Sequence, residues 1–196
     1  MRKKLLFGCG FGMIILLLIV GIIVFAYGVD ARNNMVAKEV EVENSWAQVQ
    51  NVYQRRLDLV PNLVNSVEAY MQLEKDIFEQ ITDARQDIEQ AQTPVELDNA
   101  NQDINSFIRD FRVVVEDTPE LRASETIRDL MIQLEGTENR IAQERRRFNE
   151  AVRDYNTYIR QFPRNTIAGW FNFTHKEFFE AAEGAEVAPE VTFDID

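Results

Sequence analysis

The residue types that most often carry out chemistry are sparse in this chain. His175 is its only histidine, and it lies beside Lys176 and Glu177 in an aromatic segment. No HExxH motif, Glu-x-x-His pair or glycine-rich phosphate loop occurs in the sequence. These are the spacings that zinc, di-iron and nucleotide sites need. We therefore interpret His175 as a surface residue rather than a general base or a metal ligand.

Carboxylates are plentiful, and they would bind a cation where several of them converge. They include Glu39, Glu41 and Glu43 in one part of the chain and Glu135 with Glu138 in another. Carboxylates at such short helical spacings usually form a solvated face. The sequence therefore predicts no metal site, no cofactor and no catalytic residue, and we expect a protein that is not an enzyme.

A polar interruption lies between Leu134 and Phe148, where apolar residues otherwise recur every three or four positions. Thr137 and Arg145 occupy positions there that should face inward, close to Glu138. In one interpretation Arg145 pairs with an acid of a neighbouring helix and fixes the packing register, as buried polar residues do in coiled coils. In the other, the interruption forms a site for a ligand or a partner.

A second polar cluster consists of Arg55, Arg56 and Asp58. If its helix packs against the helix that carries the polar interruption, these charges come within reach of acids there. We hypothesise that the cluster contacts Glu138 or Asp154.

Hydrophobic periodicity predicts four amphipathic helices that position these residues, over about residues 31–57, 61–91, 94–115 and 124–162. The predicted apolar stripe of the first helix is Val36, Val40, Trp46, Val49, Tyr53 and Leu57.

Prolines and hydroxyl residues predict where the helices begin and end. Pro61 interrupts the first periodic segment and predicts a tight corner or a kink there. Thr93 and Thr118 each precede a proline, which is the pattern of a cap followed by a first-turn proline. Ser124 is the expected cap of the last helix. We predict an all-α fold in which residues 31–162 form an antiparallel four-helix bundle with long helices.

The N-terminal residues predict a transmembrane helix. An uncharged and almost wholly apolar run extends from Leu5 to Tyr27, behind the short basic tail of residues 1–4. At about 1.5 Å per residue this run can cross a hydrocarbon core of roughly 30 Å. A cleaved signal peptide is the alternative, because Ala26 and Gly28 are small, but its apolar region would be only about 7–15 residues long.

The charges around this run predict its orientation and exclude one class of partner. Three basic residues precede the run, whereas Arg32 and Lys38 follow it among acids. Because cytoplasmic flanks carry an excess of Lys and Arg, we expect a single-pass protein of a bacterial cell membrane with its N-terminus in the cytoplasm and its helical domain outside. The net charge of −12 disfavours nucleic acid, which requires a basic surface.

An aromatic segment, residues 163–183, follows the last predicted helix and contains Trp170, Phe171 and Phe173. We favour the interpretation that it folds back and caps the bundle. Docking onto a partner or a second copy comes next, and contact with the membrane interface third.

The final residues, 184–196, form an acidic tail without a basic residue. Such a composition predicts a flexible segment. Val191, Phe193 and Ile195 alternate with polar residues, which would suit addition to the edge of a partner's sheet.

Three segments, residues 54–64, 134–142 and 147–156, make the chain similar to the LemA family of bacterial membrane-anchored helical proteins. The polar members of the middle segment are Glu135, Glu138, Asn139 and Arg140. The resemblance implies one N-terminal span followed by a helical bundle, and it implies no settled molecular function. The opposite membrane topology has also been predicted for the family, but the flanking charges lead us to keep the domain outside.

Together these features predict a non-enzymatic scaffold or adaptor at the membrane. Its helical surface would bind other envelope proteins or form a homo-oligomer. A signalling module, in which repacking of the bundle is coupled to the membrane span, is the alternative.

Overall fold

The computed structural model describes residues 2–68 and 75–180, without the side chains of residues 2–11, 68, 75–81, 84 and 103. The described residues form six α-helices and no strand, which confirms the all-α prediction. The helices are α1 (Arg2–Glu68), α2 (Lys75–Gln90), α3 (Pro94–Asp117), α4 (Pro119–Ala123), α5 (Glu125–Arg160) and α6 (Arg164–Trp170). The predicted acidic tail and residues 69–74 of the predicted second helix lie outside the described residues.

Pro61 lies inside α1, so the prediction of a tight corner at this residue is wrong. A proline in a helix interior removes one backbone hydrogen bond and costs about 3 kcal/mol. The neighbouring turns offset this cost, because Leu57, Val60 and Leu63 are each at most 1% exposed. Burying one such side chain contributes roughly 1.5–3 kcal/mol. Packing therefore decides the conformation, and the helix continues past the proline.

The beginning of the packed face of α1 also differs from the prediction. Val36 and Val40 are 38% and 45% exposed, whereas Ala31, Met35 and Val42 are buried. Valines occur on both faces of this part of the helix, so apolar character alone does not distinguish the packed face. The later predicted members Val49, Tyr53 and Leu57 are buried.

Two of the predicted helix starts are visible in local geometry. The Thr93 hydroxyl accepts a hydrogen bond from the Glu96 N–H at 3.3 Å, and the Glu96 carboxylate accepts one from the Thr93 N–H at 3.3 Å. This capping box satisfies two N–H groups at the start of α3. Ser124 directly precedes α5, and its carbonyl accepts from the Arg128 N–H at 3.2 Å. Thr118 precedes α4 without a side-chain capping bond to a described residue.

The chain divides into two compact units. The first unit combines Met1–Trp46 with Glu150–Lys176, and the second combines Ala47–Asn149 with Glu177–Asp196. Buried apolar residues of the first unit include Ala31, Met35, Val42, Val152, Tyr155, Ile159, Ile167 and Ala168. Those of the second include Val49, Tyr53, Leu57, Val60, Leu97, Ile104, Leu121, Ile127, Leu134, Ile141 and Phe148.

One helix in the described part of the chain is long and apolar enough to cross a membrane. Its most apolar window has a mean hydropathy of 2.8, and none of that window is buried. Both ends of the predicted span, Leu5 and Tyr27, lie in α1. Length and composition therefore support an N-terminal membrane helix.

Candidate functional site

Arg145 forms a forked ion pair within the second unit. Two of its guanidinium nitrogens reach Asp98 of α3, Nη1 to Oδ1 at 2.7 Å and Nη2 to Oδ2 at 2.8 Å. The two side chains are 26% and 28% exposed. Burial raises the pKa of Asp98, and the Arg145 charge opposes that rise without cancelling it. The forked geometry is the strong form of an arginine–carboxylate contact, and it matches the interpretation that Arg145 pairs with an acid of a neighbouring helix.

Arg56 is more deeply buried, at 2% exposed. Its Nη1 donates to the Asn101 side-chain oxygen at 3.2 Å, while its Nε meets no hydrogen-bond partner among the described residues. Burial lowers the pKa of Arg56, and the charge of Glu138 acts against this. A contact of the Arg55, Arg56 and Asp58 cluster with Glu138 or Asp154 stays a prediction. Asp154 belongs to the first unit, where its side chain is exposed.

Tyr53 completes the polar core of the second unit. It is fully buried, and its hydroxyl lies close to the side chains of Arg145 and Asp98. Burial raises the pKa of Tyr53 to about 12, with opposing contributions from the charges of Arg145 and Asp98 nearby. Thr137 is also buried, and its hydroxyl donates to the Leu134 carbonyl at 2.6 Å.

The remaining polar residues singled out in the sequence lie at the surface. Arg55, Asp58, Glu135, Glu138, Asn139 and Arg140 are exposed, and Pro61 is half-buried. The Asp58 carboxylate accepts from Gln54 at 3.3 Å and lies 3.6 Å from Arg85 of α2. These contacts are those of a solvated helix face, where ion pairs contribute little.

The C-terminal segment packs on the second unit through a contact that the sequence did not reveal. The Asn149 amide nitrogen donates to the Phe179 carbonyl at 2.9 Å, and the Asn149 oxygen accepts from the Phe179 N–H at 2.9 Å. The Phe179 ring lies edge-on to Phe148, with centroids 5.3 Å apart, and the Arg145 guanidinium lies 4.6 Å from its centroid. Arg145 also donates to the Glu180 carbonyl at 3.1 Å. Arg145 thus holds both α3 and the C-terminal segment.

The first unit contains a second asparagine contact of the same kind. The Asn156 amide donates to the Lys176 carbonyl at 2.9 Å and accepts from its N–H at 3.0 Å. The Lys176 ammonium lies 2.8 Å from Glu39 of α1 and 5.9 Å from the Tyr155 ring centroid. Burial raises the pKa of Tyr155 to about 12, and the Glu39 charge acts in the same direction. A half-buried ion pair therefore ties this part of the segment to α1.

The aromatic segment is partly buried and partly exposed. Ile167 and Ala168 of α6 are buried, and Phe173 is half-buried, as a segment that folds back would be. Trp170 and Phe171 are 76% and 49% exposed. Folding back therefore accounts for only some of its apolar residues.

The arrangement of these groups is that of a polar core in which side chains bind one another. Within residues 2–68 and 75–180, no three His, Cys, Asp or Glu side chains converge to hold a metal ion. His175 is exposed in the extended segment. Asn149 and Asn156 lie within residues 147–156, one of the segments that carry the family resemblance. Asp98 and Asn101 are polar residues within apolar periodicity, and nothing in the sequence marks them as the partners of Arg145 and Arg56.

The fold and this core define an all-α protein with a long apolar N-terminal helix and polar side chains locked into its helical core. The LemA family matches residues 45–193, which is most of the chain, so the chain belongs to the LemA family. It is also 24% identical over 178 residues to protein LemA of Metamycoplasma hominis, an alignment that covers 88% of this chain and 79% of that protein. The predicted family is confirmed.

Proposed function

We propose that this member of the LemA family is a non-enzymatic, membrane-anchored scaffold or adaptor that binds other envelope proteins or copies of itself. The observation that carries the proposal is α1, in which one unbroken helix joins the apolar N-terminal run to a packed polar core. This helix would present the other helices to partners at the surface of the membrane.

The packed helices would form the antiparallel four-helix bundle expected from the sequence. Contacts within the second unit support this arrangement. The Arg56–Asn101 pair joins α1 to α3, and the Asp98–Arg145 pair joins α3 to α5. Side-chain pairs of this kind fix which helices are neighbours.

A structural rather than catalytic role is supported by how the buried charges are used. Arg145 is engaged by Asp98, Phe179 and Glu180, and Lys176 is engaged by Glu39. A catalytic group needs access to a reacting atom. The hydrogen bonds and ion pairs of these groups instead hold the helices and the C-terminal segment together.

A groove on the second unit supports a docking surface for the scaffold. Its volume is about 350 Å³, and Ile132, which is 61% exposed, lines it together with Leu121 and Met131. Its other charged and apolar lining residues are Arg112, Val115, Glu116, Arg122, Arg128 and Glu135. The three arginines and two glutamates of the lining give the groove a positive net charge, although the chain as a whole carries −12. The groove would suit an acidic segment with apolar residues from a partner protein or from another copy.

Photo-crosslinking in intact cells tests the scaffold role. A photoreactive phenylalanine analogue at Ile132 is expected to give discrete adducts with one or a few proteins. The same analogue at Asn139, an exposed residue of the same helix, serves as the matched control. Absence of adducts at Ile132 above those at Asn139 would contradict docking at this groove.

We also propose that the N-terminus is cytoplasmic and the helical domain outside, supported by the basic tail before the apolar run. Glu43, an exposed residue beyond the run, can be replaced by cysteine in a Cys9→Ser background. A membrane-impermeant maleimide is expected to label Glu43→Cys in intact cells. Labelling only after the cells are permeabilised would reverse the orientation.

A signalling module is the second candidate, and the continuity of α1 favours it. Because α1 contains both the apolar run and Arg56, a shift in the polar core could move along one helix toward the membrane. This candidate requires two packing states of the core. Two sets of amide signals in slow exchange, with proportions that respond to substitution of Arg56, would favour it over the scaffold.

A further inference from the structure

Three aromatic residues at one end of the first unit expose large apolar surfaces. Phe162 is 85% exposed, Trp170 76% and Phe171 49%. All three lie around α6, whose Ile167 and Ala168 are buried. The short helix is therefore fixed by its inner side while its flanking aromatic rings face outward. Soluble surfaces rarely group large aromatic residues in this way without a binding role.

Arg32 relates Phe171 to a position along α1. The Arg32 guanidinium carbon lies 5.1 Å from the centroid of the Phe171 ring, a cation–π distance. Arg32 follows Tyr27, the end of the apolar run, by five residues, or about 7.5 Å along a helix. The polar headgroup region on each side of a bilayer is about 5–8 Å thick. Phe171 therefore lies at the level of the headgroups if the apolar run spans the membrane.

The charge of the surrounding chain suits phospholipid headgroups. Residues 157–176 contain no Asp or Glu, whereas Arg160, Arg164 and Lys176 are basic, in a chain of net charge −12. The Arg164 guanidinium lies 4.1 Å from the Tyr158 ring centroid, so its charge is held next to α6. Aromatic rings beside Arg and Lys are the side chains that settle at membrane–water interfaces.

We infer that Phe162, Trp170 and Phe171, with Arg32 and Arg164, form an aromatic collar that inserts into the headgroup region of the bilayer around the base of α1. The aromatic rings contact the upper acyl chains and glycerol backbone, and the two arginines bind lipid phosphates. The collar fixes the tilt and depth of α1, as interfacial anchors do. This inference rests on the proposed membrane anchoring. A partner protein or a second copy are the competing occupants of the same rings.

The expected occupant follows from where the rings lie. A protein partner would have to approach within a headgroup thickness of the bilayer, where lipid is already present at high concentration. Phe171 contacts Arg32, which follows the apolar run on α1 by five residues, so lipid covers this end of the segment without any further component. The membrane interpretation, ranked third from sequence alone, becomes the preferred one for these three rings.

Quenching of tryptophan fluorescence by brominated lipids tests the collar. The full-length protein is reconstituted into vesicles of phosphatidylcholine and phosphatidylglycerol, with bromines near the carbonyl end of the acyl chains. Trp46→Phe leaves Trp170 as the reporter, and Trp170→Phe leaves Trp46. Trp46 follows Tyr27 by 19 residues, so it lies about 28 Å along α1 beyond the apolar run. We expect Trp170 to be quenched at least about two-fold more than Trp46, since only headgroup-level residues reach the bromines.

Flotation of the same vesicles distinguishes failure of the collar from failure of the membrane anchoring. If the protein floats with the vesicles and resists carbonate extraction but Trp170 is not quenched above Trp46, the collar is overturned and the anchoring stands. If the protein does not float, both are overturned. Crosslinking of a photoreactive analogue at Trp170 adds a second readout. Adducts with lipid support the collar, and adducts with protein in place of lipid overturn it.

Discussion

Asn149 and Phe179 are joined by two hydrogen bonds of 2.9 Å each, in which one side-chain amide binds both the N–H and the carbonyl of one backbone position. Asn156 binds Lys176 in the same way, at 2.9 and 3.0 Å. Seven positions of α5 separate the two asparagines, and three positions separate the two residues whose backbone they bind.

Replacing Asn149 should release the C-terminal segment. Asn149→Leu removes both hydrogen bonds to the Phe179 backbone, so we expect protection of the Phe179 amide against hydrogen exchange to fall by about 10-fold or more, or roughly 1.4 kcal/mol and above. Asn149→Asp keeps the acceptor and loses the donor, and it should have an intermediate effect. Asn139→Leu, at an exposed position of α5, should leave the protection unchanged. Equal protection in wild type and Asn149→Leu would show that the pair does not hold the segment.

The Asp98–Arg145 pair should show measurable coupling. Because both side chains are only about a quarter exposed, a double-mutant cycle with Asp98→Asn and Arg145→Met should give a coupling free energy of about 1–2 kcal/mol. The control cycle uses Arg85 and Glu89 on α2, which are 3.1 Å apart and whose side chains are 43% and 50% exposed. Exposed pairs contribute no more than about 0.5 kcal/mol. Both coupling free energies are measured from unfolding of the full chain in detergent, monitored by circular dichroism. Equal coupling in the two cycles would contradict the claim that burial strengthens the Asp98–Arg145 pair.

Arg56 and Asn101 should behave as a unit. Arg56→Met alone removes the donor to the buried Asn101 oxygen and should cost about 1–3 kcal/mol. Adding Asn101→Leu replaces both members with apolar groups and should recover most of that free energy of unfolding. A double variant no more stable than Arg56→Met would mean that the two residues act independently. Such a result would favour a binding role for the buried guanidinium.

Tyr53 should make the protein less stable at alkaline pH. Its pKa is raised from 10.0 to about 12 by burial, so the folded state holds the phenolic proton more tightly than the unfolded state does. The free energy of unfolding is then constant below about pH 10 and falls between pH 10 and pH 12, by on the order of 2 kcal/mol. Tyr53→Phe should remove this part of the fall. An unchanged alkaline slope in Tyr53→Phe would contradict the burial of this hydroxyl.

The helices with regular apolar spacing were predictable from the sequence, but the structural effect of residues that interrupt the spacing was predictable only in part. Leu134, Thr137, Ile141 and Phe148 recur at helical spacing, which is why α5 and the inward position of Thr137 followed from the pattern. Pro61 was misread, because a local rule for proline was applied where the burial of the surrounding turns decides the outcome.

Partners of the polar residues were less predictable. Arg145 could be expected to need an acid, but Asp98 is 47 residues away in sequence, and only the packing of α3 on α5 selects it. The role of Asn149 depends on an extended segment that has no helical period to reveal where it lies. Phe162 and Trp170 illustrate the same limit, since their exposure depends on how α6 packs.

The mass of the full-length protein, extracted gently from its own membrane together with whatever stays bound, tests the scaffold proposal most directly. We predict a complex of defined stoichiometry, either a homo-oligomer or one copy with a distinct envelope protein, that persists through purification. Arg145→Met is a useful companion, because loosening the polar core and the C-terminal segment should weaken that complex. A protein that leaves the membrane as a monomer with no partner at any stoichiometry would contradict a scaffold or adaptor role.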